Sequence, residues 1–299
     1  MFFTQRKRKN SVQIIRTVGG MKEFSKKIKE SGKSIGFVPT MGYLHEGHLA
    51  LIRKAKEENA TVVTSIFVNP TQFAPTEDLD QYPRDEKGDS AKLKKEGVAA
   101  IFIPTIKEIY PAEYQTYVEV TELTKNLCGR SRPTHFRGVT TIILKLLKIV
   151  NPDRAYFGKK DYQQFRVIEK MCGDLNFDVK IVSCPIVREK DGIAMSSRNK
   201  YLTEKERGDA IILYQSLEKG KEIILNGERN SSKIIQEMTN MIQSKKTLKK
   251  IDYVSIVDLH TLKDLHYVDR NILIAVAAYF GKVRLIDNIE VIIDAKNNA

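Results

Sequence analysis

Residues 35–48 read Ile35-Gly36-Phe37-Val38-Pro39-Thr40-Met41-Gly42-Tyr43-Leu44-His45-Glu46-Gly47-His48, and the choice of fold turns on them. An apolar, β-rich run stops at Pro39 and a loop with two glycines follows. From Gly47 the apolar residues Leu49, Leu51, Ile52 and Ala55 recur at helical spacing, with lysines and glutamates opposite. Residues 61–68 are then continuous and β-branched, the pattern of a strand covered on both faces of a parallel sheet. Strand, helix and parallel strand make a βαβ unit.

The same alternation extends in both directions. A short strand at 12–16 and a helix at 20–31 precede the unit. A helix at 85–96, a strand at 98–103, a helix at 139–150, a strand at 154–157, a helix at 161–175 and a strand at 178–187 follow it. The pattern predicts an α/β fold, a Rossmann-like doubly wound parallel sheet over residues 1–187, with its ligand beyond the carboxyl ends of the strands. After about Arg188 the rhythm changes. Polar helical segments at 203–226 and 231–246, then strands at 252–258 and 272–280, predict a second, smaller α+β C-terminal domain over 188–299. No Pro-, Gly- or Ser-rich stretch separates the two, so the linker is short.

The 299 residues include 50 Lys or Arg, 37 Asp or Glu and 41% hydrophobic side chains. A chain of this length buries roughly three quarters of the surface its unfolded form exposes. Such a core needs neither disulfides nor a structural metal, and the collagen, disordered and disulfide-scaffold classes are excluded. Cys128, Cys172 and Cys184 show no C-x-x-C spacing and no histidine at zinc-ligand intervals, so they read as reduced core thiols. The longest apolar runs, near 139–150 and 272–280, fall short of the ~20 residues of a membrane helix. No membrane partner is expected. At the start, residues 1–10 place aromatics before charges, the wrong order for a secretory signal, and a cytoplasmic location is expected. The formal charge of +13 invites a nucleic-acid partner. Its clusters at 6–9, 26–33 and 245–250 are scattered and lack interleaved aromatics, and they read as solvated surface, with no nucleic acid bound.

Chemistry concentrates in the loop between the strand ending at Pro39 and the helix from Gly47. Two of the five histidines, His45 and His48, lie there three apart. Gly42 and Gly47 let backbone approach a ligand, and the helix that follows offers unpaired N–H groups and its positive end to an anion. Phosphate is the natural occupant, with both imidazoles donating hydrogen bonds as pyrophosphate departs. The competing reading is a pair of surface or metal-binding histidines. A metal site would want a third ligand and i, i+4 spacing, and no metal ligands are assigned.

The His45-Glu46-Gly47-His48 arrangement resembles the H-x-G-H signature of the nucleotidyltransferase superfamily, which includes class I aminoacyl-tRNA synthetases. Four further motifs narrow the resemblance: Phe67-Val68-Asn69-Pro70-Thr71-Gln72-Phe73, Ser131-Arg132-Pro133-Thr134-His135-Phe136-Arg137-Gly138, Phe157-Gly158-Lys159-Lys160-Asp161-Tyr162-Gln163-Gln164 and Asp191-Gly192-Ile193-Ala194-Met195-Ser196-Ser197-Arg198-Asn199. They occur in the order seen in the pantoate-beta-alanine ligase family, and the resemblance runs from about residue 12 to 291. It implies a homodimer and a two-step ligation. Pantoate attacks the α-phosphorus of ATP to give pantoyl adenylate and pyrophosphate; the amine of β-alanine then displaces AMP.

Each remaining motif has a task and a plainer competitor. Asn69 and Gln72, beyond a strand end, suit the hydroxyls and carboxylate of a small polyhydroxy acid; an Asn-Pro turn with its own capping bonds accounts well for Asn69 but poorly for Gln72. The resemblance puts Gln72 on pantoate near β-alanine, and Gln164 beside it on pantoate. Gly158, Lys159, Lys160 and Asp161 open a helix after a strand, with Lys160 suited to phosphate and Asp161 to ribose; Asp161 also reads as a simple helix cap. Met195-Ser196-Ser197-Arg198 resembles the superfamily's mobile phosphate loop, with Arg198 able to clamp phosphate bidentately; a polar linker at the domain boundary is the alternative. By the same resemblance Val187 offers its backbone to adenine. The candidate catalytic set is therefore His48, His45, Lys160 and Arg198. ATP-binding candidates are Met41 through His48, Gly158 through Asp161, Val187 and Met195 through Arg198. Mg2+ accompanies the triphosphate, because its charge must be neutralised.

His135 and Arg137 are expected in a loop before the 139–150 helix, outside the catalytic set. Thr134 stands where the family more often has Gly, which questions the local loop conformation. His260 and His266 read as structural, and the basic extension 1–10 has no assigned role. Two other functions fit parts of the pattern: a nucleotidyltransferase moving AMP to a phosphate acceptor, and a synthetase-like RNA-binding protein.

Overall fold

The structure is a computed structural model that describes residues 12–75 and 77–293; the basic extension at 1–10 lies outside them. In chain order the first sheet and its helices are β1 (Gln13–Ile15), α1 (Val18–Glu30), β2 (Ile35–Thr40), α2 (Glu46–Glu58), β3 (Thr61–Ile66), α3 (Glu86–Glu96), β4 (Ala100–Phe102), α4 (Ile106–Ile109), α5 (Cys128–Ser131), α6 (His135–Val150), β5 (Arg154–Gly158), α7 (Tyr162–Asp174) and β6 (Lys180–Cys184). The six strands are all parallel, in the order β1-β4-β3-β2-β5-β6. From β2 the chain builds outward to β3 and β4, then returns past β2 to build β5 and β6 on the other side. That reversal is the topological switch of a doubly wound sheet.

Strand periodicity sends alternate side chains to opposite faces. Ile35 and Phe37 of β2 join Met21 of α1, Ile142 and Leu146 of α6 and Ile168 of α7 in one buried cluster. Val38 joins Leu51 and Ile52 of α2 and Leu93 of α3 in the other. With both faces covered, neither needs polar residues. β2 runs one residue beyond the expected stop, because Pro39 and Thr40 still pair in register with Ser65 and Ile66 of β3. The ladder to β5 covers only Gly36 and Phe37, so a residue without an N–H is tolerated there.

The C-terminal part comprises α8 (Glu204–Ala210), α9 (Ile212–Leu225), α10 (Ser231–Gln243) and an antiparallel sheet of β7 (Leu248–Asp258), β8 (Ile272–Phe280) and β9 (Val283–Val291). Two expectations are corrected. The single helix expected over 203–226 is divided at Ile211, and β9 was not foreseen. β8 is apolar throughout because it is central and covered on both faces. Ile272, Ile274, Val276, Ala278 and Phe280 face α9 and α10, while Leu273 and Ala275 pack with Leu127, Phe136 and Tyr162 of the first part. The three cysteines are free and buried, and no described helix is long and apolar enough to cross a membrane.

Leu273 is 1% exposed at the contact between the two parts. Leu273→Ala is expected to lower the unfolding free energy of the intact chain by about 2–5 kcal/mol, from lost burial plus the cavity left behind. Urea denaturation measures it, and a loss below ~1 kcal/mol would mean that this contact is not close-packed.

Candidate active site

The crevice opens where β2 parts from β5. Beyond their carboxyl ends lies a cavity of about 240 Å3 that takes side chains from both following loops, from the Asn69–Gln72 turn and from the 195–198 loop. It adjoins an outer cleft of about 830 Å3, which shares Arg132, Lys160, Ser196 and Arg198 with it. The inner cavity alone is below the roughly 300–1,000 Å3 of a typical ligand site, so a nucleotide-sized molecule needs both.

The loop after β2 is held open by its own backbone and by a buried carboxylate. Gly42 has φ +83°, and a Cβ there would meet Ile66 at 2.9 Å and Asp89 at 3.1 Å. Tyr43 is also left-handed, φ 52°. This turn presents consecutive amides to Asp89 of α3, whose carboxylate accepts from the N–H of Tyr43 (2.6 Å) and of Leu44 (2.7 Å). Asp89 is fully buried and had escaped the sequence reading. Its only sequence signal is an acid in a helix's first turn, which ordinarily means capping.

His45 is the N-cap of α2 and its N–H donates to His48 Nδ1 at 3.3 Å. A ring nitrogen that accepts carries no proton, so neutral His48 holds its hydrogen on Nε2 as a donor. The two rings lie 4.1 Å apart. Burial is the main reason that His45 is lowered to about 4, helped by the Lys160 ammonium. His48 falls well below its ordinary value through burial and then through His45. Both imidazoles are thus uncharged at neutral pH. His45 Nδ1 is buried with no partner among the described residues, which suits a site built to be completed by a ligand.

After β5 the backbone makes one 3-10 turn, Lys159–Asp161, before α7. Asn288 of β9 fixes it, its Nδ2 donating to the carbonyls of Lys159 (3.0 Å) and Lys160 (2.9 Å). Asp161 makes no side-chain cap bond; its carboxylate sits half-exposed, 3.6 Å from Lys160 Nζ. The 195–198 loop is tied down at three points. Met195 N–H donates to the Val187 carbonyl (2.9 Å), Ser197 Oγ donates to the Tyr43 carbonyl (3.2 Å), and Arg198 is paired with Asp78.

Met41, His45, Gly47, His48, Asn69, Gln72, Gly158, Lys160, Asp161, Gln164, Val187 and the four residues 195–198 all line the inner cavity. Gly42, Tyr43, Leu44, Glu46 and Lys159 do not. Leu44 is core, the Glu46 carboxylate is paired with Arg53, and Lys159 is turned to Glu290. Asn69 is 1% exposed. Its Nδ2 donates to Gln72 Oε1 and the Gly138 carbonyl, both 3.1 Å, and its Oδ1 accepts from Thr71 and Tyr110. Its amide is therefore committed to holding the turn that presents Gln72. That turn rests directly on α6: a Cβ on Gly138 would lie 2.3 Å from the Thr71 carbonyl.

His135 and Arg137 are in helix, not loop, since α6 starts four residues before the expected point. The helix begins early because Phe136 is itself core. His135 Nδ1 lies 2.9 Å from the Gln72 carbonyl, so that nitrogen carries the proton and Nε2 is free to accept. Its ring lines the cavity, and burial followed by the Arg132 charge lowers it to about 4. Arg137 instead lies over the Tyr117 ring, 5.1 Å from its centroid. Thr134 has φ −97°, which any residue adopts, so the Gly of the family is not required.

The family model described as pantoate-beta-alanine ligase matches residues 13–290. The chain is similar to the pantothenate synthetase of Thermotoga petrophila, 57% identical over 277 residues, covering 93% of this chain and 99% of that protein. Among solved structures it is similar to pantothenate synthetase from Thermus thermophilus, with TM-score 0.89, 41% identity and coverage of 94% of this chain and 100% of that one. A pantoate-beta-alanine ligase from Francisella tularensis, complexed with beta-gamma ATP and beta-alanine, gives TM-score 0.76 and 35% identity over 93% of this chain and 97% of that one.

Three site histidines titrate lower in the fold than in the unfolded chain, so between about pH 6.5 and 4 the unfolded chain binds more protons. Stability without nucleotide is therefore present above pH 6.5 and lost as pH falls through this window. His135→Gln removes one of those protons and is expected to flatten the fall by about 1 kcal/mol per pH unit. Urea midpoints at pH 7, 6 and 5 check it; parallel curves for the two proteins would contradict it.

Proposed function

The chain belongs to the pantoate-beta-alanine ligase family, and from that premise we propose how it condenses (R)-pantoate with β-alanine. A carboxylate is a poor electrophile at neutral pH. Its oxygen attacks the α-phosphorus of MgATP, the bond to the bridging β-oxygen breaks, and pyrophosphate leaves with the electron pair. Pantoyl adenylate then has a good leaving group on its acyl carbon. The β-alanine amine attacks that carbon, the acyl C–O bond to AMP breaks, and the nitrogen loses its proton as the amide forms. Holding both acceptor and nucleotide in one cavity turns bimolecular encounters into near-unimolecular steps.

The observation that carries the reading is the His45–His48 pair: the backbone bond to His48 Nδ1 commits its Nε2–H as a fixed, uncharged donor at the N-terminus of α2, in a cavity shared with Lys160 and Arg198. Charge gathers on the phosphates as pyrophosphate departs. Preorganised donors there stabilise the transition state more than the bound substrate. We assign Lys160 to phosphate as a mobile point charge, Asp161 to ribose, the Val187 backbone to adenine, and Ser196, Ser197 and Arg198 to the triphosphate. Gln72 and Gln164 hold pantoate, with Asn69 setting Gln72. Mg2+ enters with the triphosphate as part of the substrate. Residues 1–187 carry the nucleotide and pantoate, and 188–299 serve as the lid that shields the acyl adenylate from water. A cytoplasmic homodimer completes the reading, in keeping with the family.

Incubation with ATP, Mg2+, pantoate and β-alanine is expected to yield AMP and pantothenate in equal amounts, with pyrophosphate release dependent on pantoate. AMP transfer without pantoate would point to a different nucleotidyltransferase. His48→Ala is expected to slow adenylate formation about 10²–10³-fold while the thermal midpoint stays within a few degrees of the parent. Unaltered turnover in that variant would remove His48 from the mechanism.

A further inference from the structure

Two adjacent carboxylates grip two arginines that line the cleft from different segments, Arg132 from the end of α5 and Arg198 from the 195–198 loop. Asp78 takes Arg198 side-on, Nε donating to Oδ2 and Nη2 to Oδ1, both at 2.8 Å. Glu77 takes Arg132 in the same manner, with Nε and Nη2 each at 2.6 Å. In both guanidiniums the bonded edge is Nε–Nη2, and Nη1 donates to nothing among the described residues. Both arginines line the inner cavity and the outer cleft. The acidic segment is seated on the Arg198 side by two further contacts: the Tyr82 ring lies 5.5 Å from Arg198 Cζ, and the Tyr201 hydroxyl donates to the Gln81 carbonyl.

We propose that Asp78 is a positioning residue for the adenylation step, acting through Arg198. The proposal rests on the ligase reading above, in which Arg198 meets the triphosphate. A guanidinium is a planar fork with donors on more than one edge, so a carboxylate on one edge fixes the plane and leaves Nη1 in a set direction. An arginine on a loop without that anchor samples many rotamers, and a displacement of about 1 Å at a reacting centre is worth about 10²-fold in rate. The pairing also cancels the arginine's net charge. A neutral pair attracts a resting triphosphate less than a bare cation does, yet its directed N–H still strengthens as charge builds on the departing phosphates. Asp78 therefore moves the contribution of Arg198 from ground-state binding to the transition state. Glu77 gives Arg132 the same geometry.

The test measures pantoate-dependent pyrophosphate release by the full-length enzyme at varied MgATP, for Asp78→Asn, Arg198→Lys and the double variant. Asp78→Asn is expected to lower kcat about 10- to 100-fold, with the KM for ATP unchanged or lower and the thermal midpoint within about 3 °C of the parent. Lysine cannot make the side-on pair, so the double variant is expected to be no slower than Arg198→Lys alone. Retained kcat with a lower KM would make Asp78 a mere competitor of phosphate. A raised KM with a lowered midpoint would make it a loop scaffold, and multiplicative losses in the double variant would uncouple it from Arg198; each of these overturns the proposal. A parent enzyme that releases no pyrophosphate with pantoate fails the ligase reading itself, a result read before any variant is compared.

Discussion

The site depends on the brevity of one ladder. β2 and β5 are neighbours, yet they pair only through Gly36 with Arg154 and Phe37 with Ala155. Beyond that point their chains turn to opposite sides, β2 into α2 on one face and β5 into α7 on the other. Two helix openings are thereby set side by side with a gap between them, and the cavity lies in that gap. Phe37 and Val38, both fully buried, anchor the strand to the two faces at the place where the loops depart. The position of the crevice is thus a property of strand order, and the chemistry is a property of what the loops carry there.

What they carry is arranged around uncharged donors. Burying imidazoles beside Lys160 opposes their protonation, so the site does not rely on histidine cations to hold a polyanion. A charged imidazole would bind resting triphosphate well and thereby stabilise the ground state. A neutral N–H with its direction set by a backbone bond favours the moment when charge develops. The cost is stability: His45 Nδ1 is buried with no partner among the described residues, and left-handed Tyr43 departs from its preferred backbone region. Asp89 offsets part of that cost by accepting two consecutive amides of the strained turn.

The parallel sheet and its crevice were legible because periodicity is strong wherever a strand is covered on both faces, as in β2 and β3. The histidine-glycine loop after β2 was legible from its residue types, whereas Gln72, Gln164, Val187 and the 195–198 loop were reached through the family resemblance, because amides, a valine and two serines carry no such signal by themselves. What escaped were the supports. Asp89 resembles any acid in a helix's first turn. β9 carries Arg284, Asp287, Asn288 and Glu290 among its apolar residues, and this mixture hid its alternation from a search for apolar strands. Each has a partner in the fold: Asn288 and Glu290 meet the 159–161 turn, Asp287 pairs with Arg188 and Arg284 with Asp252 of β7. The early start of α6 was concealed because Ser131 through Gly138 resembles a loop by composition, while Phe136 pulls it into the core.

The contacts of β9 limit how the C-terminal part can move. Asn288 holds the carbonyls of Lys159 and Lys160, Glu290 holds the Lys159 ammonium, and buried Asp287 pairs with Arg188 just past the end of the first part. Breaking the last pair would leave a charge unpartnered in a buried place, which costs several kcal/mol. A rotation that tore all of these contacts is therefore strongly opposed, whereas one that pivots about them is not. In such a pivot the 159–161 turn stays with β9. The 195–198 loop is held in its turn by the Ser197 bond to the Tyr43 carbonyl and by the Arg198–Asp78 pair. Ser196, Arg198 and Lys160 therefore keep their spacing unless those two ties are given up, and the geometry of the crevice is set by these bonds as much as by the sheet beneath it.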